Sequence, residues 1–271
     1  MAVSRWRNRY CMLGALLLLA LPAVSSCQGS DPGAPPGPVD RPPALDDGDR
    51  VLMIGNSLTS ANNLAAIVEA LADSAGLNWQ VEAITAGGGS LEDHWARLET
   101  RDRVADGDWD VVVLQQGPSS LPESRTHLRH WTAVFDEAIR AAGARTALYE
   151  VWPESVRFEV FDRVRDSYAL AAADVGGRFL PAGESWRAAW QRDAAAPLYG
   201  PDGFHPSEAG SYAAALAIVA GLSDRSPVGW PATLRVGGGT LSVPPPLADL
   251  LQASAAEAVA AYRDYRPADQ P

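Results

Sequence analysis

Five short runs of β-branched and other apolar residues recur along the chain, separated by segments with helical periodicity. The runs lie at 51–54, 80–84, 111–114, 145–149 and 178–180, and the helical segments lie at 61–75, 91–104, 125–142 and 157–175. Strands that alternate with helices form right-handed βαβ units, and fully apolar strands need cover on both faces of a parallel sheet. The sequence therefore predicts a three-layer α/β/α sandwich around a five-stranded parallel sheet.

The first 27 residues have the layout of a bacterial export signal. Three arginines among the first nine residues precede an apolar run at 12–21, and small residues then lead to Cys27. This run is too short for a membrane-spanning helix, which needs ~20 apolar residues. The residues Val24-Ser25-Ser26-Cys27 resemble a lipobox, which implies a signal peptide over 1–26 and acyl chains such as palmitate on Cys27. An ordinary cleavage site that precedes a cysteine is the alternative.

The composition changes sharply after residue 48. Residues 27–48 are rich in Pro, Gly and Asp and predict a tether, whereas residues 49–271 have the length and the mixed composition of a single domain. Loss of the three leader arginines would take the net charge from −11 to −14, which argues against nucleic-acid binding. We expect contact with a membrane through the lipid anchor. Gln28 favours the outer membrane or cell surface.

A serine stands directly after the first predicted strand, in Gly55-Asn56-Ser57-Leu58-Thr59. Ligands of parallel sheets bind beyond the carboxyl ends of the strands, so this position favours chemistry. The Ser57 N–H would lie at a helix N-terminus, where the helix dipole stabilises a developing oxyanion. The motif predicts Ser57 as a nucleophile, and a helix cap is the alternative.

An aspartate and a histidine lie three residues apart in Asp202-Gly203-Phe204-His205-Pro206, ahead of a predicted helix over 207–222. A serine hydroxyl is a poor nucleophile until a base takes its proton, and a carboxylate orients that base. Asp202 and His205 could supply both functions from one loop. Taken separately, they could also be a turn residue and an exposed residue at the start of a helix.

Together these motifs resemble the SGNH hydrolases, also called GDSL esterases. Segment 54–59 is similar to the first sequence block of the family and segment 202–206 to its last, in the family's order. The resemblance extends over essentially the whole domain. It implies a flavodoxin-like sheet and an ester hydrolase, with Ser57 as the nucleophile and Asp202 and His205 as its partners.

The second block supports the same resemblance. Segment 87–94, Gly-Gly-Gly-Ser-Leu-Glu-Asp-His, is similar to Gly-Gly-x-Ser-Leu-x-x-His of a bacterial branch of the family. This implies that the Gly88 N–H joins the Ser57 N–H in binding the oxyanion. Gly87 or Gly89 would take this role if the register differs by one residue.

The third block departs from the family pattern. The family usually has Gly-x-Asn-Asp after the third strand, whereas this chain has Leu-Gln-Gln-Gly-Pro-Ser-Ser over 114–120. Aligned through Gly117, the asparagine position falls on Ser119. The bacterial branch tends to have Leu-Gln-x-Gln-Ser here, so we expect the Gln116 amide to be the substitute oxyanion donor.

Three further side chains could line the rim of the site: His94, after the glycine segment, and Trp152 and Trp186, after the fourth and fifth strands. Trp152 and Trp186 could stack on a sugar ring, although core packing is the alternative for them and a structural role for His94. The four histidines form no His-Glu-x-x-His zinc motif, and no Gly-x-Ser-x-Gly elbow is present. No metal or cofactor is expected.

The sequence predicts a monomeric serine esterase that removes short acyl groups, such as acetyl, from a carbohydrate or related ester. A lipase or lysophospholipase activity is the alternative within the same class. A surface lipoprotein without catalytic activity, which binds a glycan or a protein through the same cleft, is an alternative from another class. The altered third block favours this last reading.

Overall fold

The computed structural model describes residues 41–268 of the chain. The predicted signal peptide, Cys27 and residues 27–40 of the predicted tether lie outside the described residues. No helix within 41–268 is long and apolar enough to cross a membrane.

The centre of the fold is a parallel sheet of five strands in the order β2-β1-β3-β4-β5. The strands are β1 (Arg50–Gly55), β2 (Gln80–Thr85), β3 (Val111–Leu114), β4 (Arg145–Tyr149) and β5 (Arg178–Leu180). Ile54 of β1 pairs with Ile84 of β2 on one side and with Leu114 of β3 on the other. The carboxyl ends of β1 and β3 therefore lie side by side, at the position where the strand order reverses and where such sheets bind ligands.

Nine α-helices accompany the strands within the described part of the chain. They are α1 (Ser57–Ser60), α2 (Leu64–Ser74), α3 (Leu91–Trp95), α4 (Leu98–Ala105), α5 (Pro122–Ala141), α6 (Phe161–Asp174), α7 (Ala182–Arg192), α8 (Glu208–Ser223) and α9 (Pro245–Tyr262). Helices α2, α7, α8 and α9 pack together on one face of the sheet, and α3 to α6 pack on the other. This arrangement confirms the predicted three-layer α/β/α sandwich with its five-stranded parallel sheet.

Three local features differ from the sequence prediction. The single helix expected over 91–104 is two helices, because Arg97 is extended (φ −87°, ψ 122°) and separates α3 from α4. Helix α7 follows β5 where only a rim segment was expected. An antiparallel hairpin of β6 (Thr233–Val236) and β7 (Gly239–Ser242) was not predicted at all, because only one residue of each strand is fully buried.

The boundary expected between residues 48 and 49 lies inside the folded unit. Leu45 is buried in the core, and its N–H donates to Leu222 O at 2.9 Å. The Trp79 indole donates to Asp46 O at 2.8 Å, so the backbone just before β1 is also fixed to the domain. The prediction failed here because one buried leucine in a segment rich in Pro and Asp produces no periodic signal.

Candidate active site

The turn after β1 presents Ser57 at the start of α1. Asn56 is the N-cap residue, and its side-chain oxygen accepts the Leu58 N–H at 3.0 Å. Gly55 has to be a glycine, because a Cβ there would lie 2.2 Å from Thr59 Oγ1 and 2.3 Å from Gln115 Oε1. The chain can thus turn directly from the buried strand into the helix that begins with Ser57.

The Gln115 side chain holds this turn from the adjacent end of β3. Its Oε1 accepts the Asn56 N–H at 2.8 Å and the Thr59 hydroxyl at 2.7 Å. Its Nε2 donates to Asn56 Oδ1 at 3.0 Å and to Gln116 O at 2.5 Å. Gln115 is fully buried, and these bonds use both ends of its amide. Sequence reasoning assigned no role to this residue.

Asp202 shapes the loop that carries His205. Its Oδ1 accepts the Phe204 N–H at 3.0 Å and the His205 N–H at 2.9 Å, and Gly203 between them takes a positive φ of 68°. The hydrogen bond from the His205 side chain, followed by that from the Phe204 N–H, lowers the pKa of Asp202 to about 2. Asp202 is therefore a carboxylate at neutral pH and accepts hydrogen bonds from the histidine.

The structure brings Ser57, His205 and Asp202 into one chain of hydrogen bonds. His205 Nδ1 lies 2.5 Å from Asp202 Oδ2, and His205 Nε2 lies 2.9 Å from Ser57 Oγ. With the proton on Nδ1 donated to the carboxylate, Nε2 is free to accept the serine proton. The exposed fraction of the side chain is 41% for His205 and 51% for Asp202, so a substrate can reach the base from solvent.

Side chains from neighbouring elements fix the His205 loop at both ends. The Trp152 indole N–H donates to Phe204 O at 2.9 Å, and the Asn62 amide donates to Pro206 O at 3.0 Å. Asn62 follows α1 and adopts a left-handed conformation (φ 52°). The base is therefore tied to the segment that carries Ser57 as well as to the end of β4.

The glycine segment after β2 forms a tight turn. The Gly89 N–H donates to Ala86 O at 2.9 Å, and Gly88 adopts φ 68°, which favours glycine. Asn56 Nδ2 donates to Gly89 O at 3.4 Å and connects this turn to the nucleophile turn. No hydrogen bond within residues 41–268 uses the N–H of Ser57 or Gly88. The Gly89 N–H is occupied, so Gly88 fits an oxyanion donor better than Gly89.

Gln116 is buried beside the same turns. Its Nε2 donates to Ser119 Oγ at 2.9 Å, and its Oε1 accepts the Leu91 N–H at 3.3 Å. Ser119 in turn donates to Gly117 O at 3.0 Å. An amide nitrogen carries two hydrogens, and these contacts use one of them. The amide thus lies near the first residue of α3 and keeps one donor.

The three side chains expected at the rim are all fully buried. The rings of Trp152 and Trp186 stack at 3.5 Å with an interplanar angle of 12°, and they belong to the core. His94 Nε2 bonds to Gly55 O at 2.8 Å, which places the histidine behind the nucleophile turn. The rim prediction is therefore wrong for all three, because position after a strand does not determine whether a side chain points to solvent or to the core.

A buried carboxylate pair lies behind the site, at the end of β4. Glu150 is fully buried; its Oε2 accepts the Glu184 N–H at 3.1 Å, and its Oε1 has no partner within the described residues. Burial, followed by the nearby Glu184 carboxylate, raises the pKa of Glu150 well above its ordinary value. The buried site thus favours the protonated form of Glu150. No group of three or more His, Cys, Asp or Glu residues in the described range is arranged to hold a metal ion.

The fold and the site define an α/β protein with a Ser-His-Asp arrangement at the carboxyl edge of a flavodoxin-like sheet. A candidate SGNH hydrolase from Slackia heliotrinireducens is similar to this chain, with 31% identity over 65% of this chain and 99% of that one, and a TM-score of 0.56. The chain belongs to the SGNH hydrolase family. No family model matches it, and no curated protein does.

Two further solved structures share the fold at lower identity. A DUF4886 family protein from Bacteroides uniformis is 20% identical over 82% of this chain and 98% of that one, with a TM-score of 0.65. The lipase/acylhydrolase from Enterococcus faecalis is 17% identical over 65% of this chain and 96% of that one, with a TM-score of 0.52. These two structures share the α/β fold of this chain.

Proposed function

We propose that this protein is a serine esterase in which Ser57 attacks the ester carbonyl, His205 acts as the base and Asp202 orients the histidine. The observation that carries the proposal is the continuous chain of contacts, 2.9 Å from Ser57 Oγ to His205 Nε2 and 2.5 Å from His205 Nδ1 to Asp202 Oδ2. A binding module has no need of such an arrangement. The three residues lie at the carboxyl edge of the sheet, where this fold binds ligands.

The reaction proceeds in two stages. His205 takes the Ser57 proton as the hydroxyl attacks, and the protonated imidazole is stabilised by the ionised Asp202. The N–H groups of Ser57 and Gly88, and the remaining Gln116 amide hydrogen, bind the oxyanion. His205 then gives its proton to the departing alcohol. Water, activated by the same histidine, releases the acid from the acyl-enzyme.

We propose short acyl groups, such as acetyl, on a carbohydrate or related ester as the substrate. The site is open, with the side chains of its histidine and aspartate exposed, which supports a substrate as large as an acylated carbohydrate. The reaction needs no metal or cofactor. The binding partner of the domain is thus its substrate, a small-molecule or glycan ester.

The test compares the soluble chain from residue 28 with its Ser57→Ala variant on short-chain p-nitrophenyl esters and on acetylated xylan. Ser74→Ala is the matched control, because Ser74 is an exposed serine at the far end of α2. We expect Ser57→Ala to abolish release of nitrophenol and acetate while Ser74→Ala retains it. A folded wild-type chain without turnover on any ester would refute the esterase and favour the binding module.

We also propose that the chain is exported and anchored at the outer membrane or cell surface through a lipid on Cys27. The support is the sequence pattern of residues 1–27. Metabolic labelling with a palmitate analogue tests it: the wild-type chain should be labelled and Cys27→Ser should not. Labelling of both would contradict the assignment of Cys27.

A further inference from the structure

A cleft of about 130 Å³ lies beside the His205 loop, at the carboxyl ends of β3 and β4. Pro118, Ser120 and Leu121 form one wall, Pro153 and Arg157 form the other, and Phe204 faces it from the His205 loop. The ring of Phe204 lies 5.3 Å from that of His205. The cleft therefore lies next to the His205 loop, and we call it the Arg157 cleft.

Arg157 directs its charge into the cleft. Its Nη2 donates to Ser120 Oγ at 3.3 Å, across from one wall to the other. Glu154 lines the same cleft one turn earlier, and the Arg157 N–H donates to Glu154 O at 2.8 Å. Their side chains nevertheless form no ion pair within the described structure, and the guanidinium extends toward Ser120 instead.

Ser120 provides a second donor at the same place. It is 5% exposed, and its hydroxyl accepts from Arg157. No hydrogen bond within residues 41–268 uses the Ser120 hydroxyl hydrogen. The guanidinium and this hydroxyl together offer donors to a planar group with two acceptor oxygens, and Arg is well suited to bind a carboxylate in this way. The Glu154 carboxylate would repel an anion on its own side, so the anion must approach from the Ser120 side.

The negative net charge of the chain makes the Arg157 cleft a distinct local place for an anion to bind. At a net charge of −11 the protein as a whole repels anions. An arginine without a carboxylate partner in a cleft is then the local feature that can attract one. A phosphate dianion would call for more than one cation, whereas a carboxylate matches one guanidinium and one hydroxyl.

We propose that the Arg157 cleft binds a carboxylate on the substrate, so that the enzyme prefers acidic esters. The proposal rests on the esterase function proposed above. Two ester pairs test it and place the carboxylate on either side of the scissile bond. One pair is 4-acetoxybenzoate and its methyl ester, and the other is mono-4-nitrophenyl succinate and 4-nitrophenyl butyrate.

For each pair, the ratio of kcat/KM for the acidic ester to that for the neutral ester is measured in the wild type and in Arg157→Gln. We expect the ratio to fall at least about tenfold in one of the pairs, because the variant removes a charged hydrogen bond. Arg235→Gln is the matched control, since Arg235 is exposed on the β6–β7 hairpin, and it should leave both ratios unchanged. Unchanged ratios in Arg157→Gln for both pairs would overturn the proposal.

Calorimetric titration separates this proposal from the esterase function. The Ser57→Ala variant, which needs no turnover, is titrated with 4-acetoxybenzoate and with its methyl ester. We expect the acid to bind at least about tenfold more tightly and Arg157→Gln in the same background to remove the preference. Equal affinities in Ser57→Ala would refute the carboxylate site even for an active esterase. A preference for the acid in a chain that hydrolyses no ester would refute the esterase alone.

Discussion

Replacement of Gln115 by methionine tests how the nucleophile turn is held. Methionine has nearly the same length as glutamine and fills the same buried space, but it cannot reproduce the amide hydrogen bonds. The Thr59 hydroxyl would retain its contact with Tyr149 Oη at 3.0 Å, and Asn56 Oδ1 would retain the Leu58 N–H. The Asn56 N–H, which donates only to Gln115 Oε1, would be left without a partner in the core.

The magnitude follows from these contacts. An unsatisfied buried donor costs about 1–3 kcal/mol, and each of the other lost hydrogen bonds contributes about 0.5–1.5 kcal/mol. Because Thr59 and Asn56 Oδ1 keep a second partner, their losses fall at the low end. We expect Gln115→Met to lower the free energy of unfolding by about 2.5–4.5 kcal/mol.

Urea unfolding followed by tryptophan fluorescence measures this change. Gln116→Met is the matched control: the substitution is the same, at the next residue, but the backbone N–H that loses its partner is that of Leu91, whose bond is long at 3.3 Å. The control should lose clearly less stability. A loss below about 0.5 kcal/mol in Gln115→Met, or one no larger than in the control, would refute the reasoning.

Three further predictions follow from the site. Burial raises the pKa of Glu150, so the folded state should lose stability as the pH rises above the ordinary value of 4.5. Urea unfolding across pH 4–8 should show a shallower decline of the unfolding free energy in Glu150→Gln than in the wild type. An unchanged profile would contradict the raised pKa of Glu150. The pKa of Asp202 is lowered to about 2, so the bond from His205 to the Asp202 carboxylate should persist down to about that pH. Asp202→Asn should lower kcat strongly with little change in KM. A kcat near that of the wild type would exclude the orienting role of Asp202. Trp152→Phe removes the donor to Phe204 O while keeping an aromatic ring. The lost hydrogen bond and the smaller ring in the core should lower the free energy of unfolding by about 2–4 kcal/mol, and kcat of the folded variant should fall. Retained kcat would show that this bond does not position the base.

The sheet and the triad could be predicted from the sequence for specific reasons. The strand runs are short, rich in β-branched residues and bounded by helical segments, and β1, β3, β4 and β5 are buried along almost their whole length. Ser57 and His205 lie next to elements whose ends are marked by local sequence. The same local reasoning failed for the hairpin at 233–242, where the burial of one leucine per strand leaves no periodicity.

The side chains that support the site could not be predicted in the same way, because their contacts cross the sheet. Gln115 bonds to Asn56, 59 residues away, and this contact exists only because β1 and β3 are neighbours in the strand order. The order 2-1-3-4-5 is a property of the whole sheet and leaves no trace within a short window of sequence. Trp152 is another example, since its indole reaches the Phe204 carbonyl 52 residues later.

The third block, residues 114–120, shows how the sequence and the structure together assign roles to neighbouring residues. In the sequence, the missing asparagine suggests a weakened oxyanion site, and Gln116 is the predicted substitute donor, whereas Gln115 is given no role. In the structure, the two amides separate: Gln115 supports the nucleophile turn and Gln116 lies against Ser119. Successive residues at the end of a strand point to opposite sides, so the amide that supports the nucleophile turn cannot also lie against Ser119. The departure from the family pattern therefore supplies a buried amide that supports the nucleophile turn, so it does not by itself favour a protein without catalysis.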